Sequence, residues 1–146
     1  MHVYPLSFKE FMEAYDGDEY KGWAEYVTYG GLPLTVTMKT DEQKAQYLSI
    51  LFDETYIKDI IKRNHIEKVQ ELNDLINEAQ RYDVKGRKYI GTPVKYYFED
   101  IGLRNARLGF RQVEETHLME NIIYNELRMR GFQVDVGVVQ KREKHL

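Results

Sequence analysis

KYYFEDIGLRNARLG, Lys95–Gly109, is the stretch whose reading decides the fold. The apolar, aromatic run Val94–Phe98 predicts a buried strand. Asp100 then stands where a side-chain oxygen can cap a short helix carrying Ile101, Leu103, Ala106 and Leu108, and Gly109 is placed to end it. Strand, cap, helix and glycine stop agree with one another, and on physical grounds alone they form a packing element.

The same reading extends outward on both sides. Upstream, Ser7 and Glu10 make a capping box, with Leu6 and Phe11 at the positions of a hydrophobic staple, so a helix is expected over Phe8–Tyr15. Trp23, Tyr26 and Val27 predict a second helix that stops at Gly30-Gly31, ahead of Leu32-Pro33. Asp41 opens the longest helix, to about Asn64, with Ala45, Leu48, Phe52, Tyr56 and Ile60 as its core stripe. Ile66, Val69, Leu72 or Asn73, and Ile76 predict a further amphipathic helix. Ala79–Val84 and Lys88–Ile90 read as a hairpin around Lys85-Gly86-Arg87, with Thr92-Pro93 leading into the next strand. Downstream, a helix over His117–Arg130 is expected, capped by Thr116, stopped by Gly131 and buried through Leu118, Met119, Ile122, Ile123 and Leu127. Phe132–Val139 alternates as a strand, either joining the hairpin or starting a second sheet, and the basic tail Gln140–Leu146 is expected to fray.

Composition narrows the function classes. The 146 residues suffice for one domain or two very small ones, and 42% hydrophobic with 31% charged residues is an ordinary soluble composition. No cysteine is present, which excludes thiolate metal sites, disulfides and a cysteine nucleophile. No apolar run reaches membrane-spanning length and MHVYPLSF lacks the pattern of a signal peptide, so no membrane partner and a cytoplasmic location are expected. Twelve tyrosines suit half-buried and interface positions.

The net charge of −3 hides an asymmetry. Residues 1–60 carry 5 basic and 11 acidic side chains, whereas residues 61–146 carry 16 and 13. Within Arg81–Arg111 there are 8 basic and 3 acidic residues, a balance that suits either a solvated face or phosphates. His2, His65, His117 and His145 have no metal-ligand spacing, and DGDEYKG, containing Asp16, Asp18 and Glu19, lacks the pattern of a calcium loop. Glu114-Glu115 suit the positive end of the following helix dipole.

PLSFKEF (Pro5–Phe11), YGGLPLTV (Tyr29–Val36) with YIKDIIKR (Tyr56–Arg63), and YDVKGRKYIGTPVKYYFEDIGLRNARLG leading into MENIIYNELRMRGFQVDVG form an ordered set. Together they resemble the poorly characterised C-terminal region of prokaryotic AAA-type, archaeal-ATPase-like ATP-binding proteins, over nearly the whole chain. The resemblance implies an order of ATPase core, winged-helix segment and restriction-endonuclease-like domain. Three departures from that order are expected to remove chemistry. No GxxxxGK[ST] phosphate loop occurs, so ATP and Mg²⁺ are implied for the full-length family and no cofactor is expected for this chain. The middle looks shortened, with the recognition helix missing. The hairpin would be the wing, with Arg81, Lys85, Arg87 and Lys88 as candidate phosphate contacts. The nuclease-like part looks truncated: Glu120 matches its helix acid, and Asp135 does not complete the site.

The expected architecture is therefore α+β. A helical region, 1–77, follows the absent ATPase core. Residues 78–146 form a winged-helix-type hairpin and a truncated restriction-endonuclease-like α/β element. The implied role is a non-catalytic fragment or shortened family member that acts through protein or nucleic-acid interaction. The alternative is a weak, sequence-independent DNA-binding module, with a metal-dependent nuclease behind it. Loss of the ATPase core would expose Trp23, Tyr26, Leu32 and Leu34, which predicts self-association or an ATPase subunit as partner.

Overall fold

The computed structural model describes residues 4–62, 76–111 and 114–139. Their order is α1 (Phe8–Ala14), α2 (Glu19–Tyr29), α3 (Pro33–Thr37), α4 (Asp41–Lys62), β1 (Ile76–Asp83), β2 (Lys88–Phe98), α5 (Ile101–Arg107), α6 (Glu115–Met129) and β3 (Val136–Val138). The fold is mixed α+β.

Local signals set several boundaries. The Ser7 Oγ accepts from the Glu10 amide while the Glu10 carboxylate accepts from the Ser7 amide, at 3.3 and 2.8 Å. That backbone bond is the main reason the Glu10 carboxyl lies below its ordinary range. Asp18 caps α2 through the Lys21 amide at 2.9 Å, a structural duty for the acidic loop. Gly30 ends α2 at φ +77°, a conformation that favours glycine. Pro33 then starts a short helix not expected from sequence, since proline fits a first turn where its missing N–H costs nothing.

The sheet has the order β2-β1-β3. β1 and β2 are antiparallel and form the expected hairpin, whereas β3 pairs with β1 in parallel. Lys88–Ile90 and Val94–Phe98, expected as separate strands, are the two ends of one strand. Ala79 pairs with Lys95 and Arg81 with Ile90, so the register shifts between them. Pro93 is accommodated there, outside the paired positions, where a missing N–H breaks no ladder bond. Phe132–Val139 contributes only Val136–Val138 as strand, and it joins the hairpin's sheet.

Three buried clusters hold these elements. Val27, Ile101 and Leu118 meet with Trp23 and Ile122 against them. Leu48, Phe52 and Leu103 form a second, packed by Tyr29, Leu32, Phe98 and Phe110. Ala79, Tyr97 and Tyr124 form the third, with Val134 and Val136. The first two draw on residues from both sides of position 77, with α5 packed against α2 and α4.

Several expectations change. Trp23, Tyr26 and Leu32 do not form an open face. Tyr26 is buried, its Oη donates to the Leu6 carbonyl at 2.9 Å, and its ring meets Phe8, Phe11 and Trp23. Leu32 packs on the second cluster, and Leu34 alone of the four is exposed. The α6 cap is Glu114, with Thr116 inside the helix, and Met119 and Ile123 face solvent. In their place Asn121 is buried, because its amide meets the backbone of β2. On α4, Lys44 is buried where the stripe placed Ala45; it pairs with Glu25 and lies over the Tyr29 ring. The helix expected over 66–76, the 140–146 tail, His2, His65 and His145 lie outside the described residues, apart from Ile76 in β1, as do the side chains of Tyr56 and Ile60.

Candidate functional site

The two most recognisable sequence blocks meet at Asp100. Its carboxylate accepts from the Gly31 amide at 2.8 Å and the Leu103 amide at 3.0 Å, joining the Gly30-Gly31 turn to the start of α5. Close approach explains the glycines. A Cβ on Gly102 would lie 2.1 Å from the Tyr29 carbonyl oxygen, and one on Gly30 would lie 2.4 Å from an Asp100 oxygen. Asn105 completes the junction, donating to the Val27 and Thr28 carbonyls at 2.9 Å each and so satisfying the end of α2. Burial raises the Asp100 carboxyl to about 6 against the opposing pull of the Gly31, Leu103 and Gly102 amides. This junction is closed: Asp100 is 4% exposed and its oxygens are spent on backbone donors.

A second polar group lies where α6 crosses the sheet. Glu120 Oε1 accepts from Lys95 Nζ at 2.5 Å and from Tyr97 Oη at 2.7 Å. The Lys95 bond is the leading reason its carboxyl stays below the ordinary range. The next residue, Asn121, exchanges both backbone bonds with Phe98, and one turn further Asn125 donates to the Phe98 and Glu99 carbonyls. Together these side chains satisfy the exposed end of β2. Asp135 is turned away from Glu120. It accepts from Tyr89 Oη at 2.8 Å, so the two acids do not converge. Among the described residues no three acidic, histidine or cysteine side chains come together in a way that would hold a metal ion. His117 pairs with Glu114 on the surface.

The four basic residues expected on the hairpin divide. Lys85, Arg87 and Lys88 are exposed together at its tip. Arg81 lies on the side covered by α6, near Tyr97, with its Nε enclosed and unpartnered. Arg81 faces inward because it shares with Ala79 the side that packs Tyr97 and Val136, whereas Lys85, Arg87 and Lys88 lie at or beyond the end of the packed ladder. The turn itself is built by Asp83, which is buried and accepts from the Lys85 amide at 3.1 Å. A Cβ on Gly86 would strike that carboxylate at 2.3 Å, and Arg87 completes the turn at φ +51°. All three acids of the basic segment are thereby drawn inward: Asp83 and Asp100 are buried and Glu99 is half-buried. Charge counting along the sequence found the basic segment, and the Asx-type duty of Asp83 was the signal that its tip is purely cationic.

No protein-family model and no solved structure matches the chain. An uncharacterized protein of Haemophilus influenzae is 30% identical over an alignment of 191 residues, covering 97% of this chain and 48% of the relative. The chain thus spans about half the length of the curated relative it matches. The alignment is longer than the chain's 146 residues, so the relative carries additional residues inside the matched span. No described helix is long and apolar enough to cross a membrane.

Proposed function

We propose that this chain is a non-catalytic interaction module, related to the C-terminal region of AAA-type ATP-binding proteins. In this reading it contacts the DNA backbone, without sequence preference, through a winged-helix-type hairpin. One observation carries the reading: Lys85, Arg87 and Lys88 stand exposed at the hairpin tip while the acids of the same segment face inward. Point charges on a short turn suit phosphates and carry no base-reading geometry. The relative carries additional residues within the matched span, as an internally shortened chain would lead one to expect. Glu120 is committed to Lys95 and Tyr97, which suits a structural acid better than a metal ligand.

Three phosphate contacts give a salt slope of about −2.7, or roughly a 40-fold loss of affinity between 50 and 200 mM salt. Fluorescence anisotropy with a labelled DNA duplex measures this directly. The combined substitutions Arg87→Glu and Lys88→Glu are expected to abolish the signal. Absence of binding to the unaltered protein at low salt would refute the reading.

A further inference from the structure

Phosphate contact at the hairpin tip leaves the adjoining tyrosines without a purpose. Tyr82 and Tyr89 face each other across β1 and β2, their rings meeting edge to face with centroids 5.2 Å apart and planes at 71°. The Tyr89 Oη is also tied to Asp135. Asp135 precedes Val136, whose side chain packs on the Ala79–Tyr97–Tyr124 cluster, so Asp135 and Tyr89 lie on the opposite side of the sheet. Glu78 and Tyr96, paired with each other, share that side by the same alternation.

Tyr89 is thus held at its edge and at its hydroxyl, yet it is 58% exposed, as is Tyr96. An exposed ring held this rigidly has already lost the rotamer freedom that stacking would cost. Lys85 and Arg87 occupy the turn between Tyr82 and Tyr89, while Lys88, paired with Asp83, opens β2 on the other side of the sheet. Asp83 faces inward, Asp135 keeps its charge beside the Tyr89 hydroxyl, and the exposed Glu78 lies at the far end beside Tyr96. The turn end of the face therefore carries two cations against the single carboxylate of Asp135.

We infer that this face binds single-stranded DNA, the Tyr89 ring stacking on a base while Lys85 and Arg87 of the adjoining turn hold the flanking phosphates. The inference rests on the reading that the hairpin contacts DNA and adds the form of the nucleic acid. A base presents its flat face only when unpaired, whereas a duplex offers edges and backbone to a ring mounted on a strand. Aromatic platforms beside a cationic track are the general solution for holding single strands without reading sequence.

The test is anisotropy of the full chain with fluorescein-labelled oligothymidylate of about 15 nucleotides, within the usual range of site sizes. A duplex and an oligouridylate of the same length serve as parallel probes. Oligothymidylate is expected to bind at least about tenfold tighter than duplex, the equivalent of one stacked base. Tyr89→Ala is expected to weaken oligothymidylate binding by about 5- to 150-fold and to leave duplex binding within about twofold. Tyr89→Phe, which keeps the ring and loses the Asp135 bond, is expected to retain most of the single-strand affinity. Far-UV circular dichroism confirms that both variants fold. Equal affinity for the two DNA probes, with Tyr89→Ala silent, overturns the stacking site and leaves the phosphate reading standing. Binding to neither probe at low salt overturns both. Oligouridylate bound tenfold tighter than oligothymidylate overturns the assignment to DNA.

Discussion

Replacing Asp100 by asparagine keeps the shape of the junction between the Gly30-Gly31 turn and α5 and removes its charge. The carboxyl is raised from 3.8 to about 6, chiefly because it is buried, so the folded protein takes up a proton that the unfolded chain still releases. For an acid shifted upward, the favourable contribution is fully present below 3.8 and is lost as pH rises through 6. Between pH 7 and pH 5 the wild-type protein therefore gains about 1 kcal/mol from this group, a gain the asparagine variant cannot make. Other carboxylates, such as Glu10 and Glu120, are lowered and act in the opposite sense, but they are common to both proteins and cancel in the comparison. The assay is urea unfolding of wild type and Asp100→Asn at both pH values. The stability of wild type relative to the variant is expected to grow by about 1 kcal/mol on going to pH 5. A difference that is unchanged, or that shrinks on acidification, would show that the carboxylate is not held in a desolvated site.

Two further substitutions probe the same junction. Gly102→Ala places a methyl group 2.1 Å from the Tyr29 carbonyl oxygen, a backbone atom that cannot rotate away. The expected loss is about 4 kcal/mol or more, measured by denaturant unfolding. Asn105→Ala leaves the Val27 and Thr28 carbonyls without their donor. A cost of about 2 to 3 kcal/mol is expected, with faster amide exchange in the last turn of α2 as an independent readout.

Features whose causes lie within a few residues were legible in the sequence. The Ser7–Glu10 capping box, the Asp100 cap, the glycine ends of α2 and α5 and the hairpin turn all lie where local chemistry places them. The basic tip was legible for the same reason, since Lys85 and Arg87 belong to the turn and Lys88 directly follows it. Arg81, only four residues from Lys85, carries the same charge but lies within the packed length of β1 and not in the turn. Its destination depends on α6, more than thirty residues away. Asn121 and Lys44 escaped the hydrophobic stripes because a stripe counts apolar residues and cannot see a polar side chain with a distant partner. Met119 and Ile123 lie on the apolar stripe yet face solvent, for the converse reason. The merging of two expected strands across Pro93 depended on β1 tolerating a register shift, a property of the pair.

The sequence by itself determined where helices begin and stop, where the chain turns, and that positive charge gathers at the hairpin, because caps, glycines and turn acids act over two to four residues. Only the tertiary structure decided what Lys95–Gly109 is for. Asp100 and Gly102 hold their form because a turn some seventy residues earlier lies against them. Lys95 and Tyr97 hold theirs because Glu120 arrives from α6, and Tyr89 stays exposed although Tyr82 and Asp135 hold its edge and hydroxyl. Burial and long-range partners are properties of assembled elements, and no local pattern records them.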